Sequence, residues 1–401
     1  MDANVQPEIT KPTDTRQVIF LFLLITAGFI LRIALARFFY GGTNDVSAWE
    51  QFSTYWRQGM SPYDATHRWS YSPVWFWVLS ACSEFARSWG LPFTFVIKWP
   101  LILTDAVITS VLFLAAQKRG FSVKESLFAA AIYALNPVSI ILSGYGAQFD
   151  NTAIAFTLLC WYWGTHSKNK NYFVGLLLFS LGVLMKHFTL ILAPIFAFKE
   201  KGFLKRACYF AVPPALFAAL LLPYFTNGQE SIVHQVLGYN LNAGYWGWSG
   251  IICRVFLFFT EIDLTRMSWF YWLDFFNLAL YAGILLMTYW WVKKYDTLDL
   301  ILLVFLVFYV FTTQIAPQYT VWILPFAALR RNLFFYFYSV IGGIQLGFFY
   351  YCHYFWEKHI LLQGADVYFS KTFIVARHLT WLVCVLWLIW MIKRKRGDLV
   401  R

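Results

Sequence analysis

The run Gly144-Tyr145-Gly146-Ala147-Gln148-Phe149-Asp150-Asn151 joins two apolar blocks, 123–143 and 148–165. It is a glycine-loosened turn that ends in an acid and an amide. A carboxylate and two amides at membrane depth are costly unless they face water, a partner or a ligand. The same run therefore separates a chain that only spans a membrane from one that works there.

The rest of the 401 residues agrees with a membrane setting: 60% are hydrophobic, 21% aromatic and only 13% charged. Soluble domains carry roughly 45–50% apolar and about 25% charged residues. The apolar residues recur in blocks near the ~20 needed to cross a bilayer as a helix, not in the ~10-residue alternating stretches of a membrane β-barrel. The expected fold class is an all-α polytopic membrane protein forming one integral-membrane domain over 1–401. Residues 1–16 are polar and carry Asp2, Glu8 and Asp14, unlike a cleavable signal peptide. Six cysteines at 82, 160, 208, 253, 352 and 384 form no CxxC or Cys/His spacing, so neither a metal cluster nor an obligatory disulfide is expected.

The net charge of +12 is read as topology, not as a nucleic-acid surface. Of the 32 basic residues, 20 sit in short connections or tails: Lys11, Arg16, Lys118/Arg119/Lys124, Lys168/Lys170, Lys199/Lys201/Lys205/Arg206, Lys293/Lys294, Arg330/Arg331, Lys393–Arg396 and Arg401. The positive-inside rule puts these in the cytoplasm. That constraint gives about twelve crossings with both termini inside: 17–40, 92–117, 123–143, 148–165, two short halves of 171–198 meeting at Lys186-His187, 203–225, 269–292, 298–313, 317–330, 333–352 and 372–392. Residues 72–89 then lie on the outer interface as an aromatic helix. Residues 41–91 and 226–268 become large external loops, 1–16 a cytoplasmic tail and 393–401 a basic one.

Polar groups collect on the outer side. The first loop offers Asn44, Asp45, Glu50, Asp64, His67, Arg68 and Tyr71. The second offers His234, Gln235, Asn240, Asn242 and Tyr245-Trp246-Gly247-Trp248, while 312–320 adds Gln314, Gln318 and Tyr319 around Pro317. Each has an ordinary reading. Asp45 suits a helix N-terminus, Ser61-Pro62-Tyr63-Asp64 a turn, the Tyr-Trp stretch an interfacial anchor, and Arg32 and Arg37 snorkelling to the interface. Lys186 is harder to explain as filler. A lysine in mid-block must pair with an acid, Asp105 being one choice, or bind an anion. Taken together, acids, cations, amides and aromatic faces at one membrane side suit a lipid phosphate bearing a polar headgroup. A cation would hold phosphate, a carboxylate would activate a nucleophile, and amides and rings would hold a sugar.

Several segments carry a resemblance. Thr43-Asn44-Asp45 follows the first span. Tyr71-Ser72-Pro73 precedes an aromatic helix. Asn136-Pro137 leads to the Gly144–Asn151 run, Lys186-His187-Phe188 is followed by Ala193-Pro194, and Ala316–Pro325 reads APQYTVWILP. In this order they resemble motifs of the GT-C superfamily of integral-membrane glycosyltransferases. The chain is similar to the endoplasmic-reticulum glucosyltransferases of lipid-linked oligosaccharide assembly and, in places, to the mannosyltransferases of GPI-anchor synthesis. Over the opening run the family has Gly-His-Phe-Gln-Tyr-Asn, and Ala147 stands at its histidine. The glucosyltransferases' His-Glu-Lys element has only weak counterparts in His234 and Glu357-Lys358-His359.

The resemblance implies transfer of glucose or mannose from a polyprenyl or dolichyl phosphate to a hydroxyl of a glycan or glycolipid acceptor. It assigns Asp45 as general base. Lys186, His187, Arg32 and Arg37 are expected at the donor phosphate, and Gln148, Asp150, Asn151, Asp64, His67, Tyr71, Gln318 and Tyr319 at sugar or acceptor. Asp45 belongs to no Asp-x-Asp pair, which within the superfamily favours the metal-independent members, so no metal ligand and no resident cofactor are assigned. Compact length and the lack of sorting signals lean toward a bacterial inner membrane with the site facing the periplasm, or the lumen if the chain is eukaryotic. The rival class is a transporter or flippase, with Lys186, Asp105 and the broken 171–198 block lining a substrate path.

Overall fold

The computed structural model describes residues 15–38, 44–61, 63, 69–166, 171–225, 232, 235–236, 246–262, 264, 273–313, 315–358 and 371–394. Among these every regular element is helical and no strand occurs. The expected sites Asp64 and His67, with Arg68, His234, Asn240, Asn242 and Gln314, lie outside the described residues, as do the tail residues 1–14 and 395–401.

Five helices are long and apolar enough to cross a membrane: Thr15–Phe38 (α1), Phe93–Lys118, Phe203–Tyr224, Leu333–Tyr350 and Phe373–Lys393. The bent pair Val123–Ala134 and Pro137–Tyr145 makes a sixth if it is one span. The chain is thus a multi-helix protein of membrane character. The finer count of about twelve crossings goes beyond the spans that length and apolarity identify.

The spans differ in what surrounds them. Only 11% of the α1 window is buried, against 56% of the Phe93–Lys118 window. On α1, Val18, Ile19, Phe20, Phe22, Leu23, Ile30 and Leu31 are exposed and form an apolar surface suited to lipid. The helix Lys98–Lys118 (α2) packs instead between α1, Val123–Ala134 (α3) and Asp150–His166 (α4). Among the longer helices, Thr297–Phe311 (α5) is enclosed by protein, buried continuously from Leu298 to Leu306.

Local sequence explains the breaks. The capping box of Ser122 and Glu125 starts α3. Its continuation bends by 46°, because Pro137 lacks the N–H that a straight helix needs. Asn136 restarts the chain, accepting from Val138 N at 3.0 Å, and its Nδ2 anchors the bend to Ser339 Oγ at 2.8 Å. A turn of π-helix, Ile141–Tyr145, then delivers the run. The block 171–198 breaks at Lys186-His187. Tyr172–Met185 (α6) ends where Lys186 adopts an extended backbone (φ −154°, ψ 117°), and a 3₁₀ turn His187–Leu192 follows. Segment 317–330 is a 3₁₀ turn, Pro317–Val321, and a five-residue helix, Leu324–Ala328, with its interior buried. It packs inside the bundle in place of a continuous helix.

Two helices from the first loop cover the run: Asn44–Arg57 (α7) and Pro73–Ser88 (α8). α8 begins with Ser72 as N-cap and Pro73 in its first turn. Ser72 also donates to Leu184 O, tying the loop to the end of α6. Trp49 and Phe52 of α7 and Trp75, Phe76 and Leu79 of α8 form a second core with Ala147 and Phe149.

Candidate functional site

Phe149 is the hub that brings the loop to the run. Trp75 stacks on it at 4.2 Å between ring centroids, Tyr71 meets it edge-on at 4.9 Å and Trp49 at 5.8 Å. Holding Phe149 this way turns its neighbours Gln148 and Asp150 in different directions, each toward a charged partner. Ala147 completes the turn with a left-handed backbone at φ +53°. That conformation costs a non-glycine residue roughly 1–2 kcal/mol.

Gln148 is 2% exposed, and its Nε2 donates to Asp45 Oδ2 at 2.8 Å. Asp45 sits half-buried in the first turn of α7. One carboxylate oxygen is oriented by the amide, and no hydrogen bond among the described residues engages the other.

Asp150 is fully buried, and its Oδ2 lies 2.6 Å from Lys186 Nζ. Its Oδ1 accepts from Trp322 Nε1 at 2.8 Å. The extended backbone at Lys186 allows this side chain to leave the helix and enter the site. Its ammonium faces the rings of Phe149 (5.0 Å), Tyr319 (5.4 Å) and Tyr71 (5.9 Å). Tyr319 stacks on Trp322 at 4.1 Å, and Phe188 lies parallel to Trp322 at 3.6 Å. A cation with three N–H groups, ringed by aromatics and holding one carboxylate, retains donors for an anion.

Asp45, Gln148, Asp150, Lys186, Tyr71 and Tyr319, drawn from separate segments, therefore meet in one place. His187 is half-buried beside Phe217, with 6.3 Å between centroids, and Gln318 is half-buried in the 3₁₀ turn. Arg37 is exposed near the end of α1.

Three expectations are corrected. Arg32 is 2% exposed and turns inward. Its Nε donates to Asp105 Oδ2 at 2.8 Å and Ser143 Oγ at 3.1 Å, Nη1 to Ala134 O at 2.6 Å and Gly28 O at 3.0 Å, and Nη2 to Ser139 Oγ at 2.8 Å. Every guanidinium nitrogen is engaged by protein, which leaves a donor phosphate no open edge. Asp105, in turn, pairs with Arg32 and not with Lys186. It also accepts from Ser143 Oγ at 2.6 Å, Tyr133 Oη at 2.6 Å and Asn151 Nδ2 at 3.0 Å. Asn151, expected at the sugar, directs its amide nitrogen to Asp105 and Leu101 O. The run is thus split: Gln148 and Asp150 face the site, and Asn151 faces a buried strut.

Three further groups reach this region without being expected there. Trp322 stands out in the sequence only as part of APQYTVWILP. Lys98 is fully buried with its ammonium 5.8 Å from the Tyr145 ring centroid. Tyr350, in the last described turns of Leu333–Lys358 (α9), lies against Gly146. The first two carry weak signals, a tryptophan and a lysine beside apolar runs. Tyr350 carries none, because packing distant in sequence places it.

Outside the spans, Tyr63 closes the first loop: its hydroxyl donates to Tyr71 O at 2.7 Å, and Gln235 Nε2 donates to Tyr63 O at 3.0 Å. Burial pushes the Tyr63 phenol up from its ordinary value, so it stays a donor. Trp246 and Trp248, read as an interfacial anchor, donate to Tyr309 O at 2.7 Å and Phe311 O at 2.9 Å. Among the described residues no group of three His, Cys, Asp or Glu side chains could hold a metal ion. No family model matches this chain, and no curated protein matches it at a significant level.

Proposed function

We propose that the chain is an inverting, GT-C-type membrane glycosyltransferase moving a hexose, glucose or mannose, from a polyprenyl phosphate to a hydroxyl of a glycan or glycolipid acceptor. The observation that carries this reading is the convergence of Asp45–Gln148 at 2.8 Å with Lys186–Asp150 at 2.6 Å within one aromatic-walled site. It joins an oriented, accessible carboxylate to a cation that has donors to spare.

In the proposed step the acceptor O–H gives its proton to Asp45, whose Oδ2 is steadied by Gln148. The oxygen attacks the anomeric carbon as the bond to the phosphate oxygen breaks. The phosphate leaves with the electron pair, and a β-linked donor gives an α product. Lys186 stabilises the leaving phosphate, with His187 and Arg37 at the margin. Tyr71, Tyr319 and Gln318 hold sugar or acceptor. The accompanying topology has about twelve crossings, cytoplasmic termini, and the site on the periplasmic side of a bacterial inner membrane or the lumenal side of a eukaryotic one.

The test is transfer in proteoliposomes supplied with radiolabelled polyprenyl-phosphate glucose or mannose and a membrane glycan acceptor, comparing wild type with Asp45→Asn. Lipid-dependent transfer that is lost in the variant supports the reading. Absence of turnover with either donor, alongside uptake or flipping of the lipid, would replace it with transport.

A further inference from the structure

Around the run, Gln148 Oε1, Tyr350 Oη, Trp75 Nε1 and Asn151 Oδ1 are buried without a hydrogen-bond partner among the described residues; of these, Gln148 Oε1 and Tyr350 Oη belong to the side chains that interact with Asp45. Such atoms are uncommon, and each costs about 1–3 kcal/mol when left unmet. The amide orientation of Gln148 is fixed by chemistry. Its 2.8 Å neighbour is the Asp45 carboxylate, an acceptor, so the nitrogen must point there and the carbonyl oxygen must be the orphan. Tyr350 is 2% exposed, and its backbone carbonyl accepts from Tyr145 Oη at 3.4 Å. Its hydroxyl approaches the run across Gly146: a Cβ at that position would fall 2.5 Å from it. It also lies within electrostatic reach of the Asp45 and Asp150 carboxylates.

The two orphans define a ligand chemistry. Gln148 Oε1 can only accept, so it requires a donor. A carboxylate or the phosphodiester of a sugar-bearing lipid offers none at neutral pH. Tyr350 Oη can donate or accept. An alcohol lying between them would satisfy both, donating to Gln148 and accepting from Tyr350.

We propose that Tyr350 and Gln148 form a hydroxyl-binding subsite beside Asp45, which holds an alcohol of the transferred sugar and lets the protein tell a sugar-bearing lipid phosphate from the bare lipid. This rests on the glycosyltransferase reading of the same site. Polar sites of this kind discriminate strongly, because the analogue lacking the hydroxyl leaves buried groups unpaired.

The experiment measures binding of polyprenyl-phosphate mannose, polyprenyl-phosphate glucose and sugar-free polyprenyl phosphate to purified full-length protein, wild type and Tyr350→Phe. Wild type should prefer at least one sugar-bearing lipid to the bare one. Tyr350→Phe should lose roughly 3- to 10-fold in affinity for that lipid, the worth of one hydrogen bond, and nothing for the bare lipid. Its ligand-free melting temperature should match or exceed wild type, since an orphan hydroxyl is removed.

Equal loss for sugar-bearing and bare lipid would assign Tyr350 to the phosphate and overturn the proposal. Unchanged affinity for all three would also overturn it while leaving the enzyme reading intact. A lowered ligand-free melting temperature would show that the hydroxyl is already satisfied within the protein, and the subsite would fall with it. A wild type that binds none of the lipids would defeat the enzyme reading itself.

Discussion

Lys186 Nζ lies 2.6 Å from Asp150 Oδ2, and their side chains are 7% and 0% exposed. A buried pair of this kind adds little net stability, but breaking one side leaves an uncompensated charge, costing about 3–5 kcal/mol. Lys186→Met and Asp150→Asn should each lower the stability of the detergent-purified protein. The double variant should be less damaged than the sum by more than about 1 kcal/mol, the coupling of residues in contact. Additive losses in thermal unfolding would mean that the pair is not coupled.

Asp45→Asn should behave in the opposite way. Asp45 is half-buried and its contact is an amide donor, which an asparagine oxygen can also accept. Melting should change little while transfer falls roughly 10²–10⁴-fold, the usual contribution of a general base. Restored transfer in Asp45→Glu at even a few per cent would strengthen the role. Full transfer in Asp45→Asn would remove it.

How much of this was legible follows from the kind of signal each residue carries. Helical class and membrane character were written in the block length and the scarcity of charge. The break at Lys186-His187 was legible because basic clusters flank the block at both ends, and under the positive-inside rule that argues against a single crossing. Asp45, Gln148 and Asp150 were legible as polar residues beside apolar blocks, a costly placement that demands a reason. The pairing was not. Asp105 and Asp150 are both acids at membrane depth, and nothing in the sequence says which meets Lys186 and which meets Arg32. That choice depends on the bend at Pro137 and the turn at Ala147, which rotate successive residues of the run toward different helices. Arg32 was misread for the same reason. An arginine near a span end suits snorkelling or phosphate binding equally, and only packing reveals the carbonyls of Gly28 and Ala134 waiting for it.

Arg32→Met should therefore act on folding and not on donor binding. It strips Asp105 of its charge partner and removes the donor to the Ala134 carbonyl, while Gly28 O keeps its helical bond, a loss of about 3–5 kcal/mol. Folded yield by size-exclusion chromatography should drop sharply, and Arg32→Lys, a single ammonium in place of a fork, should not rescue it. A well-folded Arg32→Met with a raised KM for the lipid donor would return Arg32 to the phosphate.

Gly146 provides a steric test of the site's back wall. A Cβ there would lie 2.5 Å from both Cζ and Oη of Tyr350 and 3.0 Å from Cε2. The ring is 2% exposed and packed beside Tyr145, 5.5 Å between centroids, so it cannot simply swing away. Gly146→Ala should cost about 1–3 kcal/mol, the range for overpacking a filled interior, and should weaken transfer because Tyr350 must shift. Replacing the ring with a shorter side chain, Tyr350→Leu in the same chain, should recover part of the stability but not the activity. Gly283 is the control: it lies inside the helix Leu273–Trp291, where an added methyl would meet nothing within 4 Å. Gly283→Ala should be neutral or stabilise by up to about 1 kcal/mol through helix propensity. Equal effects at 146 and 283 would mean that the contact between the run and Tyr350 is looser than 2.5 Å implies.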